Sequence, residues 1–330
     1  MANHRHINTS LKENNDTGFG TNADNLGGRF INKDGSFNLR KEGLGFLNRF
    51  SVFQVMLSMP RWKFIAVILI FFAVFNLIFT GIYLLIGANQ LQGIVGTTPW
   101  GVFREVYFFS TQTFTTVGYG RINPLGSMAN IVASIEALFG FLSFAIATGL
   151  IYGRFAKPKS YLIFSKHALV SPYHGKTGFM FRFASYKENH TLTDVEVMVN
   201  VALQAQEGDK RVFRYYKLEL ERSKVESLPM NWTVVHPIDE KSPLMGMTEE
   251  DMKASDVEIY VLIKGFDDIF SNVVQQRTSY IYSEILFNRK FAPMYREAPD
   301  GKTTILELHK MHDHVEAIPK THHQADAEKV

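Results

Sequence analysis

The sequence predicts a membrane-embedded helical segment followed by an all-β domain. Residues 64–103 contain no Asp, Glu, Lys or Arg, and residues 122–153 contain a single one, Glu136. Beyond Lys159, apolar and polar residues alternate, which is the period of half-buried strands. The 330 residues carry a formal charge of +3 and no cysteine, so disulfides, thiol catalysis and zinc–thiolate sites are excluded. The predicted class is therefore a membrane α protein, with two transmembrane helices and a shorter helix between them, joined to a C-terminal β-sandwich.

Three short segments precede the first apolar run. Residues 1–27 are polar, rich in Asn and Gly and without the apolar stretch of a signal peptide, so we expect a disordered tail. Residues 28–45 predict a cytoplasmic strand that turns at Asp34 and Gly35. Residues 46–60 fit either a slide helix in the membrane interface or a packed cytoplasmic helix, because four apolar side chains share one helical face: Phe46, Phe50, Phe53 and Leu57.

Two apolar runs are long enough to cross a bilayer. The first, residues 64–87, would extend about 36 Å as a helix, and the second is residues 131–153. Basic residues precede the first run and follow the second, so both termini are expected in the cytoplasm. The polar Asn76 within the first run is expected to face another helix. The predicted domains are a transmembrane domain over 61–157, a cytoplasmic β domain over 158–315 and a disordered tail over 316–330.

A third apolar stretch, residues 99–114, lies between the two spans. Thr98 and Pro99 are typical of an N-cap and a first helical position. Such a helix would reach only about 24 Å, which is short for a full crossing. We therefore expect the chain to enter and leave on the same side. The residues that follow, 115–120, would then be non-helical backbone that is buried in protein or lines a water-filled cavity.

Residues 115–120, TTVGYG, contain no acid, base, thiol or imidazole. Their chemistry is therefore that of the backbone carbonyls, which are ligands for a weakly polarising cation. Alternating backbone conformations would turn successive carbonyls to one axis, and Gly118 and Gly120 tolerate positive φ. Thr116 can add its hydroxyl, and Tyr119 can point outward as a brace. One strand cannot surround an ion, so several copies are needed. The negative end of the preceding helix dipole would favour the cation. The alternative is that Gly-Tyr-Gly is a turn that arose by chance and binds no ion.

In the β domain, the alternating pattern predicts strands over residues 195–203, 211–220, 232–238, 257–263 and 303–308. Turns are expected at 206–210 and 299–302, where Gly and Asp cluster. Several short strands at such spacing indicate a β-sandwich.

Residues 116–120 are identical to the TVGYG loop that forms the K⁺ selectivity filter. Over residues 28–315 the chain resembles the inward-rectifier potassium channel family, and its prokaryotic members most. Besides the filter, the segments that carry the resemblance are RFINKDG at 29–35, RWK at 61–63, RFAKPK at 154–159 and VVHPIDEKSPL at 234–244. The resemblance implies a homotetramer in the plasma (inner) membrane, with K⁺ held at Thr116, Val117, Gly118 and Tyr119. It also implies an immunoglobulin-like cytoplasmic domain.

The resemblance assigns further residues to the conduction path. On the second transmembrane helix it implies a pore face made of Gly140, Phe144, Thr148 and Tyr152, with Tyr152 as the gate; the alternative is that these residues face lipid or pack. Strong rectifiers of the family carry an acid at the position of Phe144, so we expect weak, voltage-dependent block by Mg²⁺ or polyamines. Ba²⁺ is a further expected blocker. Cytoplasmic pore positions are implied at Asp194, Lys264, Gly265, Phe266 and Ser271.

Two further assignments concern charged residues. The resemblance places Glu136 behind the filter, where it supports the filter or the pore helix; a protonated helix-packing residue is the alternative. It implies an anionic-lipid site of Arg61, Trp62, Lys63, Arg154, Lys157 and Lys159, because basic residues at the inner surface attract anionic lipid. Simple anchoring of the topology would produce the same charges.

Two other functions were weighed. The spacing of His309, His312 and His314 is compatible with a metal-dependent enzyme, but no carboxylate or thiol motif completes a site. A membrane-anchored ligand-binding sandwich would give the filter sequence no role. The sequence predicts no enzymatic activity, no cofactor beyond the permeant ion and no nucleic-acid partner.

Overall fold

The computed structural model describes residues 14, 29–43, 45, 51–188, 190–207 and 210–317, without the side chains of 205–211. The chain divides into two compact units, one of residues 42–157 and one of the remainder. The predicted tails, 1–27 and 316–330, lie almost wholly outside the described residues, as do Phe46 and Phe50. Glu316, assigned to the C-terminal tail, is the last residue of a short strand.

The first unit contains four helices: α1 (Val52–Ser58), α2 (Arg61–Ile86), α3 (Pro99–Phe114) and α4 (Ser127–Phe155). The helices α2 and α4 are long and apolar enough to cross a membrane. The short helix α3 begins and ends where the sequence predicts. Its N-cap is Thr98, whose hydroxyl accepts a 3.1 Å hydrogen bond from the backbone N–H of Gly101, and Pro99 occupies its first turn.

The two long helices, α2 and α4, both pack against α3. Their buried cluster is Phe79, Tyr83, Leu91, Val106, Phe109, Ile122 and Ala129. Asn76 is fully buried, and its Oδ1 lies 3.2 Å from the hydroxyl of Ser110 on α3. The prediction that Asn76 faces another helix is therefore confirmed. A 3-10 turn (Ala88–Gln90) and two short strands, β1 (Leu91–Gln92) and β2 (Asn123–Pro124), join the segments on either side of α3.

The second unit is an all-β domain with one helix, α5 (Glu249–Ala254), and 3-10 turns at Tyr282–Glu284 and Leu308–His312. Its strands are β3 (Leu162–Phe164), β4 (Ala168–Tyr173), β5 (Lys176–Ser185), β6 (Leu192–Glu207), β7 (Lys210–Lys217), β8 (Lys224–Ser227), β9 (Trp232–Ile238), β10 (Glu258–Asp267), β11 (Asn272–Ile281), β12 (Ile285–Phe287), β13 (Arg289–Phe291), β14 (Tyr295–Glu297), β15 (Thr304–Leu306) and β16 (His314–Glu316).

The strands form two five-stranded sheets and two hairpin-like pairs. One sheet has the order β11-β10-β6-β7, with β8 also on β6, and the other has the order β12-β4-β5-β3, with β9 also on β5. The main core holds side chains of both sheets, among them Phe181 of β5 and Val199 of β6, both fully buried. The predicted sandwich is thus confirmed. Five of its strands were predicted from the sequence, and others, including β4, β5 and β11, were not.

An N-terminal segment, residues 29–38, packs on β10 and β11 of the same unit. Its predicted turn is present, with Gly35 at φ 85°, but the predicted strand is reduced to one bridge between Ile31 and Phe37. Backbone N–H groups of Phe30 and Ile31 donate to the carboxylate of Glu258 at 3.0–3.3 Å. Arg29 and Lys33 both pair with Glu284.

Candidate functional site

Residues 116–120 follow α3 without regular secondary structure. Positive φ angles occur at every second residue, 60° at Thr116, 52° at Gly118 and 81° at Gly120. The two glycines adopt this conformation at little cost, whereas a β-branched threonine there is strained. Positive φ was predicted from the sequence at the two glycines and not at Thr116. Such strain persists only where the surroundings hold it, and it is common at ligand sites.

The inner end of this strand is fixed by backbone hydrogen bonds to α3. The N–H groups of Val117 and Gly118 donate to the carbonyl of Gln112, at 2.9 and 3.2 Å, and Thr116 donates to Thr113 at 3.0 Å. At the outer end, Asn123 Nδ2 donates to the carbonyl of Gly120 at 2.9 Å.

Four carbonyls lie between these anchors. Among the described residues, none donates a hydrogen bond to the carbonyl oxygen of Thr116, Val117, Gly118 or Tyr119. All four residues are exposed in the single chain, and Tyr119 is 79% exposed. Backbone carbonyls without hydrogen-bond partners are available to act as oxygen ligands. The expected brace by Tyr119 has no partner within the described part of the chain.

Glu136 connects α4 to both other long helices of the unit. It is fully buried, and its Oε1 accepts a 2.5 Å hydrogen bond from Ser110 of α3 while Oε2 accepts a 2.7 Å bond from Tyr83 of α2. Ser110 lies on α3, six residues before Thr116, so Glu136 contacts α3 and not residues 116–120. Ser110 and Tyr83 were not singled out from the sequence, because a lone Ser or Tyr in an apolar run gives no spacing signal.

Three of the four residues assigned to the pore face are exposed in the single chain: Phe144 (73%), Tyr152 (73%) and Thr148. Thr148 turns its hydroxyl to its own helix and donates to the Phe144 carbonyl at 2.9 Å. Gly140 differs, because it is buried against the end of α3. A Cβ there would lie 1.8 Å from the carbonyl oxygen of Phe114. The absence of a side chain at Gly140 therefore lets α4 approach α3, and its assignment to the pore face stays a prediction.

The basic residues assigned to lipid fall into two groups. Arg61, Trp62, Lys63, Lys157 and Lys159 are exposed, and Lys63 lies over the Trp62 ring, 5.4 Å from its centroid. Arg154 is engaged within the protein. Its Nη1 and Nη2 donate to the carbonyls of Met56 and Met59, at 2.6 and 2.8 Å, and its guanidinium stacks 4.6 Å from the Phe64 ring. Arg154 therefore caps the end of α1, and its assignment to the lipid site stays a prediction.

The residues assigned to a cytoplasmic pore lie together where β6 meets β10. The pairing shifts register between Lys264 and Phe266, because two residues of β6, Asp194 and Val195, lie opposite Gly265 alone. The bulge is therefore in β6. Asp194 has φ 47° and Ser271, in the β10–β11 turn, has φ 46°. Asp194 is exposed and pairs with Lys224 at 2.9 Å, which partly cancels the negative charge of its carboxylate.

The three C-terminal histidines do not converge on a metal. Across the described ranges, no cluster of three or more His, Cys, Asp or Glu side chains could hold one. The Nδ1 of His312 instead accepts from the backbone N–H of Lys166 at 3.1 Å, and the ring of His314 packs edge-on against His167.

Two family models match this chain. Residues 70–157 match an ion channel family, and residues 162–330 match the inward rectifier potassium channel C-terminal domain. The chain is 34% identical over 290 residues to "Inward rectifier potassium channel Kirbac3.1" of Paramagnetospirillum magnetotacticum, which covers 86% of this chain and 95% of that protein. It is 31% identical over 224 residues to "Inward rectifier potassium channel 4" of Homo sapiens, which covers 64% of this chain and 50% of that protein.

The two long helices, the segment at 116–120 between them and the matches to channel families together define a membrane ion-channel subunit. More specifically, the chain belongs to the inward rectifier potassium channel family. Its relatives are channels, so the metal-dependent enzyme is rejected. A solved structure of the sporulation control protein Spo0M from Bacillus subtilis aligns with a TM-score of 0.22 and 8% identity, over 38% of this chain and 47% of that one, and carries no argument.

Proposed function

We propose that this chain assembles as a homotetramer that conducts K⁺ selectively through residues 116–120. The observation that supports this most directly is the row of four carbonyls, at Thr116, Val117, Gly118 and Tyr119, which receive no hydrogen bond from any described residue. Four such strands around one axis replace the hydration shell of K⁺ with backbone oxygens. The C-terminal end of α3, just before the filter, adds the negative end of its dipole.

Reconstitution into K⁺-loaded vesicles tests this proposal. Wild-type protein should release K⁺ far faster than Na⁺, and Ba²⁺ should block the release. Gly118→Ala should abolish the flux. Gly118 has φ 52°, and a residue with a side chain adopts that backbone conformation only under strain. Gly81→Ala is the matched control: Gly81 lies in α2, and an added Cβ meets nothing within 4 Å. Equal flux in the two variants would contradict a filter at residues 116–120.

The proposed setting is the plasma membrane, with both termini in the cytoplasm. Supporting it, Arg61 and Lys63 begin α2 and Lys157 follows α4, which places positive charge at the same end of both spans. A reporter fused to the C-terminus, active only in the cytoplasm, measures the orientation. Activity only outside the cell would reverse the proposed topology.

Within the conducting unit, we assign Glu136 to support of the filter through α3 and Tyr152 to the gate. The support rests on the hydrogen bonds from Ser110 and Tyr83 to the Glu136 carboxylate. The assignment of Tyr152 to the gate is supported by the exposure of its side chain near the end of α4. Tyr152→Ala should raise open probability in single-channel recordings, since a smaller side chain leaves the ion path wider. An unchanged open probability would remove Tyr152 from the gate.

Rectification is proposed to be weak. Phe144 carries no charge that could attract a blocking cation. The carboxylate of Asp194 is already paired with Lys224, which weakens its attraction for such a cation. Lys264 adds a positive charge to the same region of the β domain. Mg²⁺ and polyamines should therefore block with low affinity and a shallow voltage dependence.

Regulation by anionic lipid is the remaining part of the proposal. Arg61, Lys63, Lys157 and Lys159 are exposed cations, and no carboxylate among the described residues pairs with them. Trp62 between the first two is exposed, as suits a membrane interface. Such residues attract anionic headgroups at about 1 kcal/mol per charge near the surface.

A further inference from the structure

The outer end of the filter is joined to the segment that precedes α3. The strands β1 and β2 pair Leu91 with Pro124, directly after the filter exit. A Cβ on Gly93 would lie 2.0 Å from the carbonyl oxygen of Arg121, so only glycine permits this approach. The backbone thus fixes the position of Arg121, which is the first residue after Gly120.

Arg121 places a positive charge at the filter exit. Consecutive Cα atoms are about 3.8 Å apart, so its guanidinium stays within about 10 Å of the last filter residue. The side chain is 55% exposed, so water screens most of its field, and a unit charge at about 10 Å in water still interacts weakly with an ion. In a tetramer, four such charges would surround one mouth and repel an approaching K⁺.

Glu105 is placed to cancel this charge. Its Oε1 lies 3.6 Å from Nη1 of Arg121, and its Oε2 accepts a 2.9 Å hydrogen bond from the backbone N–H of Val95. The side chain of Glu105 is largely buried, so its own position is better fixed than that of the arginine. One carboxylate therefore holds both the guanidinium after the filter and the chain segment before α3.

We propose that Glu105 is a positioning residue for K⁺ entry: it holds the guanidinium of Arg121 at the side of the outer mouth and neutralises it there. This inference rests on the proposed function, because it needs a conducting filter beside Arg121. It assigns a role in permeation to two residues outside the filter sequence. A purely structural ion pair would stabilise the fold without any effect of ionic strength on K⁺ entry.

Glu105→Gln separates the two roles. The amide keeps the size of the side chain and an oxygen for the Val95 N–H, but it leaves four unpaired positive charges. At about 10 Å in water, after screening, these charges should lower inward K⁺ current about threefold at 0.1 M and about sevenfold at 0.01 M ionic strength. The double variant Glu105→Gln/Arg121→Gln is the control. It restores charge balance, and its inward current should match wild type at both ionic strengths.

Inside-out patches measure this, because the pipette solution defines the face from which ions enter. Loss in the single variant that shrinks at high salt, with recovery in the double variant, supports the role of Glu105. Equal currents in Glu105→Gln and wild type, or no recovery in the double variant, would overturn it. If Glu105→Gln fails to assemble, Arg121→Gln decides: inward current should rise about threefold at 0.1 M, and an unchanged or smaller current rejects the inference. A wild type without K⁺ current would instead contradict the proposed function.

Discussion

Replacing Gly140 by alanine should displace the end of α3 and, with it, the proposed filter at residues 116–120. Gly140 lies where α4 crosses the end of α3, and an added Cβ would be 1.8 Å from the carbonyl oxygen of Phe114. An ordinary contact is about 3.4 Å or longer, so one of the two helices must move by roughly 1.5 Å. Phe114 stands two residues before Thr116, and the filter strand is anchored to this same end of α3. The displacement is therefore transmitted to the carbonyls.

The size of the effect follows from this geometry. Overpacking of a filled interior costs about 1–3 kcal/mol. A misplacement of about 1 Å at a site that requires fixed geometry can cost about a hundredfold in rate. We expect Gly140→Ala to lower the thermal stability of the assembled protein and to reduce K⁺ flux at least tenfold. Gly149→Ala, in the same helix, is the matched control, because its Cβ would meet nothing within 4 Å.

The assay is K⁺ release from vesicles at equal protein content, together with thermal denaturation of the solubilised protein. Gly149→Ala should keep the wild-type flux and be as stable or slightly more stable, since alanine is the better helix former by about 1 kcal/mol. Wild-type flux and stability in Gly140→Ala would refute the close approach of α4 to the filter support. Equal losses in both variants would refute its location at Gly140.

Three further predictions follow from other parts of the chain. Lys157→Gln/Lys159→Gln should shift the response of K⁺ flux to anionic-lipid content to higher lipid fractions, with Lys253→Gln, far along the sequence in α5, as the control; identical dose–response curves would exclude the two lysines. Phe144→Asp should increase spermine block and its voltage dependence in patch recordings, because it adds a carboxylate at an exposed position of α4, and unchanged block would remove residue 144 from the pore. Burial lowers the pKa of His236 below its usual 6.5, so the unfolded chain binds more protons below that pH and the β domain should lose stability as pH falls from 7 to 5. His236→Gln should flatten that part of the thermal-shift profile, whereas an unaltered slope would assign the acid sensitivity to other groups.

Periodicity predicted the helices best. Both spans and α3 were evident because each is long and uninterrupted, and the cap at Thr98 with Pro99 marks the start of α3 without tertiary help. The β domain was predicted less completely. The strand β5 is buried at seven consecutive positions, 178–184, and therefore shows no alternation of buried and exposed residues. The strand β11 follows a turn without glycine, so no turn residue in the sequence marks where it begins.

The candidate site shows the same division. Residues 115–120 were recognisable as a candidate cation site because their residue types exclude other chemistry. The partners of Glu136 were not, since Tyr83 and Ser110 are brought to it from positions 53 and 26 residues away in sequence. Arg154 resembled its basic neighbours until the structure placed its guanidinium on the carbonyls of Met56 and Met59.

The sequence by itself determined which segments are long and apolar enough to cross a membrane and which backbone stretch is the candidate cation site, because hydrophobic length and the absence of reactive side chains are local properties. Tertiary structure decided which polar residues serve each other. It buried Gly140 against Phe114, committed Arg154 to α1 and set Glu105 between Val95 and Arg121. These roles depend on distances between atoms far apart in the chain, and no local pattern of residues records them.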